Sequence, residues 1–88
     1  MREEQEVWNR HMMNEYITFI ARSLVDAPDQ VQVTEVSTEQ GLIFELRVAK
    51  EDLGKIIGRQ GRMARVLRTV VSAASARTGQ RMLLEIVE

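Results

Sequence analysis

Apolar residues recur along the first third of the chain at spacings of three and four. Trp8, Met12, Met13, Tyr16, Ile17, Ile20, Ala21, Leu24 and Val25 fall on one stripe of a helix predicted from Glu3 to about Ala27. Glu3, Glu4 and Glu6 sit in its first turn, where the helix dipole favours carboxylates, and Pro28 ends it. The period then changes to two. Val31 to Val36 is β-branched and largely alternating, which predicts a strand, and the phase slip between Val33 and Val36 points to a bulge or a strand end. Thr38 to Gly41 reads as a hairpin turn, after which Leu42, Phe44, Leu46 and Val48 alternate with Ile43, Glu45 and Arg47 in a half-buried second strand. A helical turn is predicted from Ala49 to Leu53 with Gly54 as its C-cap, followed by a loop from Lys55 to Gly61. Met63, Val66, Leu67, Val70, Val71 and Ala74 restore helical spacing in a helix closed by Gly79. Met82, Leu84 and Ile86 then alternate with Leu83, Glu85 and Val87 in a terminal strand. The order is α-β-β-α-α-β, an α+β chain with helices packed on one face of a three-stranded sheet.

The 88 residues, 44% of them apolar, fit one domain spanning 1–88 with no room for a second core. A chain of this size buries only about 60–65% of its unfolded surface, so support from dimerisation is expected. The absence of cysteine excludes disulfides, Cys-type zinc sites and thiol nucleophiles, and His11 is the sole histidine, which excludes a His–His metal pair. No nucleophile elbow is present, so neither an enzyme nor a cofactor is expected. No apolar run approaches the roughly 20 residues of a membrane span, and MREEQEVW lacks the order of a signal peptide; a cytoplasmic protein is expected.

Charge changes the picture once it is divided along the chain. From Lys55 to Arg81 there are seven basic residues and no Asp or Glu, whereas the remainder holds five basic and thirteen acidic residues. A segregation of +7 against −8 within one small domain predicts a face that attracts polyanions. A solvated helix surface is the competing reading, although ordinary solvated faces mix the two signs.

Gly58-Arg59-Gln60-Gly61 lies inside the basic stretch, between two predicted helices and after the apolar pair Ile56-Ile57. Two glycines three apart permit a tight turn and remove two β-carbons, so a sugar-phosphate chain can approach main-chain N–H groups. The N-terminus of the following helix points at the same place and favours phosphate, with Arg59 and Arg62 beside it. The P-loop pattern is not met, because two residues separate the glycines and Arg62-Met63 follow.

Residues 56–71, from Ile56-Ile-Gly-Arg-Gln-Gly61 through Val71, resemble the core signature of the KH domain, an RNA-binding module whose GxxG loop clamps about four nucleotides of backbone. The element order is similar to the bacterial, type II form of that fold, and the length resembles the small single-KH proteins within it. That resemblance implies a non-enzymatic binder of single-stranded RNA, of RNA-chaperone or post-transcriptional regulator type. It assigns Gly58 and Gly61 to backbone approach, Arg59 and Gln60 to phosphate contact, and Ile56, Ile57 and Met63 to the floor of a base-binding groove, with one of the two isoleucines expected in the core and only the other lining the groove. Lys55, Arg62 and Arg65 extend the candidate phosphate contacts, and Arg47 on the second strand is the candidate for reading base edges. Ala64 departs from the large aliphatic residue common three positions after the second glycine, which predicts a shallower groove. The resemblance further implies a homodimer, a complex with a larger KH-containing protein, and a link to cell elongation and division. The alternative is a protein–protein adaptor in which the apolar pair and GxxG region form a dimerisation surface.

Overall fold

A computed structural model describes residues 9–88. Helix α1 (Arg10–Leu24) is capped by Asn9, whose side chain accepts a hydrogen bond from the Met12 N–H at 3.0 Å. Glu3, Glu4, Glu6 and Trp8 lie outside the described residues. The broad apolar stripe read from the sequence divides here. Met13, Ile17 and Ala21 are buried against the sheet, whereas Met12 and Tyr16 are exposed. The helix stops at Leu24, short of Ala27, because Val25 is extended and the next two N–H groups bond to a carboxylate from elsewhere in the chain.

After a 3₁₀ turn at Pro28–Gln30 come strands β1 (Gln32–Thr38) and β2 (Gly41–Arg47), antiparallel and joined by a two-residue turn. Their register runs unbroken from Gln32↔Arg47 to Thr38↔Gly41, so β1 neither bulges nor ends between Val33 and Val36. The phase slip has another cause. Glu35, opposite the buried Phe44, occupies the helix-covered face of β1, where it accepts a hydrogen bond from the Asn14 amide at 2.7 Å and lies 3.9 Å from Arg10. Val36 consequently falls on the open face.

A 3₁₀ turn (Lys50–Asp52) leads into α2 (Leu53–Ile57), then a tight turn (Arg59–Gly61), then α3 (Arg62–Thr78). The chain closes with β3 (Met82–Ile86), which pairs parallel to β2, giving the order β1-β2-β3. The predicted α-β-β-α-α-β arrangement holds. Phe44, Leu46, Ile17, Ile56, Leu67 and Val71 form the centre of the core between the sheet and the helices. Among the described residues, no helix is long and apolar enough to cross a membrane.

Candidate nucleic-acid interface

The sequence placed a helix stop at Gly54 and a loop from Lys55, and the structure corrects both. Gly58 N–H donates to Gly54 C=O at 2.8 Å, so the helical turn runs through Ile57 and Gly58 caps it. Ile56 is fully buried in the core and cannot floor a groove, while Ile57 is half-buried. Lys55 points toward the end of α1. Its Nζ lies 2.7 Å from Asp26 Oδ2 and 3.4 Å from Asp52 Oδ1.

Asp52 is a feature the sequence did not announce. It is 2% exposed and its two oxygens accept the backbone N–H groups of Asp26, at 3.1 Å, and Ala27, at 3.0 Å. The Asp26 N–H hydrogen bond, followed by the Ala27 N–H and Lys55, holds the Asp52 carboxyl below the ordinary carboxylate range against the opposing effect of burial. Lys55 is raised in turn, chiefly by its hydrogen bond to Asp26. This cluster ties the segment after α1 to the start of α2, and thereby fixes the element that carries the loop.

The two glycines of the loop serve different ends. Gly58 has φ 78° and ψ 173°, a region essentially confined to glycine, and a β-carbon there would lie 2.8 Å from Met63 Cβ and 2.9 Å from the Met63 nitrogen. Gly61 has φ 73° and ψ 15°, with open space where a β-carbon would stand. Gln60 between them is also left-handed, at φ 57°. Arg59, Gln60 and Arg62 are exposed, and Arg62 donates to Gln60 Oε1 at 3.3 Å. No side chain caps the first turn of α3, and the Gly61 and Arg62 N–H groups donate to the Gly58 and Arg59 carbonyls of the preceding turn.

From Gly61 an open trough of about 540 Å³ follows α3 past Arg65, Arg68, Thr69 and Ser72. It meets a groove of about 370 Å³ between α3 and β3, bordered by Arg68, Ser75, Arg81 and Leu84. The strand beside α3 is therefore β3 and not β2. Arg47 follows the buried Leu46, which puts it on the open face of the sheet, away from the helices, where it pairs with Glu45 at 3.4 Å. Ala64 is 4% exposed and faces the core, so its size does not set the depth of the groove. Arg68 and Arg81 are the residues that sequence reasoning left out of the site. Their membership in the acid-free stretch was the available signal.

β3 is an edge strand, and its backbone contributes to the groove. Arg81 C=O accepts from Leu42 N–H and Val87 N–H donates to Leu46 C=O, so these positions face β2. Alternation in a parallel ladder turns the N–H and C=O groups of Met82, Leu84 and Ile86 outward. The Met82 N–H is taken by Ser75 Oγ at 3.0 Å.

An α-β-β-α-α-β chain with β1-β2-β3 order and a GxxG turn between its last two helices is a type II KH-like fold. The family model described as "KhpA/KhpB, KH domain" matches residues 14–86. The chain is 52% identical over 75 residues to the RNA-binding protein KhpA of Clostridium acetobutylicum, covering 85% of this chain and 100% of that protein. It is 49% identical over 74 residues to the RNA-binding protein KhpA of Borreliella burgdorferi, covering 84% and 90%. With the RNA-binding protein KhpA of Aquifex aeolicus it shares 45% over 76 residues, covering 86% and 96%. The chain belongs to the KhpA/KhpB KH-domain family.

Proposed function

We propose that this protein is a non-enzymatic, cytoplasmic binder of single-stranded RNA, of RNA-chaperone or post-transcriptional regulator type, formed as one domain over residues 1–88. The observation that carries the reading is the loop geometry. Gly58 to Gly61 presents Arg59, Gln60 and Arg62 to solvent at the uncapped start of α3, and Arg65, Arg68 and Arg81 continue the same charge along the groove. Among the described residues, none of Arg59, Arg65, Arg68 and Arg81 has an acidic partner. The RNA backbone lies over the two glycines, Ile57 supplies apolar contact, and Leu84 main-chain groups meet base edges. Arg47 and Lys55 are already paired with carboxylates and belong to the scaffold. The relatives' printed name, RNA-binding protein, supports the ligand class.

A single KH groove reads few bases, so useful affinity requires avidity, from a homodimer or from a complex with the larger KH-containing protein KhpB. The pairing of names in the family description supports the second route, and the family resemblance links the protein to cell elongation and division. Fluorescence anisotropy of a short labelled single-stranded RNA tests the site. Affinity should fall log-linearly with salt, with a slope of about −2 to −3 for three to four phosphates. Arg59→Asp/Gln60→Asp should lose binding with unchanged circular dichroism, since both side chains are exposed and Asp tolerates the left-handed backbone at position 60. Salt-insensitive binding, or binding retained by that variant, would return the protein to the adaptor reading.

A further inference from the structure

Two channels run beside α3, and their linings differ in chemistry. The groove between α3 and β3 has Val71, Met82 and Leu84 among its lining residues, an apolar surface on which unpaired bases can lie. The trough on the outer face of α3 is lined by Gly61, Arg65, Arg68, Thr69 and Ser72, none of them apolar or aromatic. Arg65, Thr69 and Ser72 follow the spacing four, three and are all exposed, so they form one row about 10 Å long down the helix. The two hydroxyls of that row are not equivalent. Thr69 Oγ1 donates to the Arg65 C=O at 2.8 Å, which leaves the oxygen to act only as an acceptor. The Ser72 hydroxyl bonds no other group among the described residues, so it can donate or accept. Arg68 and Ser72 border both channels, which therefore meet at the middle of α3.

We infer that the outer trough holds the sugar-phosphate edge of a base-paired RNA stem while the α3/β3 groove holds the unpaired strand that leaves it, so that the ligand is a stem with a single-stranded tail. The lining of the trough selects that occupant. An unpaired strand has bases to bury, and the trough offers them nothing to lie on. A duplex has already stacked its bases and turns phosphates and ribose hydroxyls outward. The wide, shallow minor groove of an A-form helix displays 2′-hydroxyls, which donate as well as accept. A 2′-hydroxyl can donate to Thr69, whereas a phosphate oxygen, an acceptor, cannot. Arg65 and Arg68, neither with an acidic partner among the described residues, supply the cations for the phosphates of the stem. The fork at Arg68 and Ser72 puts the end of the stem where the tail enters the groove. This inference rests on the RNA-binding reading above and names the form of RNA it takes.

Fluorescence anisotropy with the full chain tests it on labelled RNAs: an unpaired strand, a blunt hairpin, and that hairpin carrying the strand at its 5′ or its 3′ end. In one of the two polarities the tailed hairpin should bind at least about tenfold tighter than the unpaired strand, the gain expected when two weak contacts are joined in one ligand. It should also bind tighter than the blunt hairpin. A stem of deoxynucleotides with the same RNA tail should lose the gain, because the hydroxyls that Thr69 accepts from are gone. Thr69→Glu sets a carboxylate against the stem, so the ratio of tailed to unpaired affinity should fall to about one. Position 69 is exposed and glutamate is the better helix former, so the fold is kept, which circular dichroism verifies. A strand bound equally with and without its stem, a blunt hairpin bound as tightly as the tailed one, a gain kept by the deoxynucleotide stem, or a ratio unchanged in Thr69→Glu overturns the assignment. Failure to bind any of these RNAs overturns the RNA-binding reading as well, whereas loss of the stem gain alone overturns only this inference, so the two failures are distinguishable.

Discussion

Replacing Gly58 by alanine and, in a separate variant, Gly61 by asparagine should separate the two loop glycines by several kcal/mol. At Gly58 the backbone conformation alone costs a side chain about 1–3 kcal/mol. The added β-carbon must also displace Met63, whose nitrogen would stand 2.9 Å away and whose backbone opens α3, at a further cost of about 1–3 kcal/mol of the kind seen on overpacking. The expected loss is about 2–6 kcal/mol. At Gly61 the left-handed conformation is one asparagine adopts readily, the space is open, and reduced freedom of the unfolded chain returns about 0.4–1 kcal/mol. That variant should lie within about 1 kcal/mol of the parent. An 88-residue domain has on the order of 4–13 kcal/mol in total, so the first change removes a large fraction of stability and the second almost none. Urea unfolding followed by far-ultraviolet circular dichroism measures both, and with a slope near 1 kcal/mol per molar the Gly58 variant should shift its midpoint by about 2–6 M or be unfolded without urea. Equal losses at the two positions, or a Gly58 variant within about 1 kcal/mol of the parent, would refute the assignment of Gly58 to close packing.

Arg65→Ala and Arg68→Ala should each reduce the magnitude of the salt slope of RNA binding by about 0.7, whereas Arg47→Ala, on the opposite sheet face, should leave it unchanged. The lowered pKa of Asp52 means that its ionised form contributes stability fully above the ordinary carboxylate range and loses that contribution as pH falls through the lower folded value. Asp52→Asn should therefore be less stable at neutral pH and show a flatter loss of stability on acidification, read as urea midpoints from pH 7 down to pH 2. Ala64→Leu should destabilise the fold by about 1–3 kcal/mol by thermal melting, because the added volume enters the core and not the groove.

How far the sequence could be read depended on whether a feature is local. Periodicity located all three strands and both long helices, and the alternation in β2 sorted Leu42, Phe44 and Leu46 from Ile43, Glu45 and Arg47 correctly. Along α1, two adjacent rows are both apolar, so spacing alone could not tell Met13 and Ile17 from Met12 and Tyr16. Gly54 and Gly58 stand four apart and either could end a helical turn; the hydrogen bond between them shows that the second does. The GxxG loop was legible because its glycines and arginines are contiguous. The wall of the groove was not, since only tertiary pairing puts β3 at the edge beside α3 and β2 in the middle. Asp52 binds backbone more than twenty residues away in sequence, and no pattern marks such a carboxylate.

The outward-facing backbone of β3 has an evolutionary consequence. A base edge met by the Leu84 N–H and C=O meets groups that every amino acid except proline supplies alike. Mutation can alter how tightly such a reader grips, by changing the arginines around it, far more easily than it can alter what is read. Across a lineage, targets would then be gained and lost through changes in RNA, through the spacing of a second site, or through a new partner. The pattern of donor and acceptor along that strand would stay as it is.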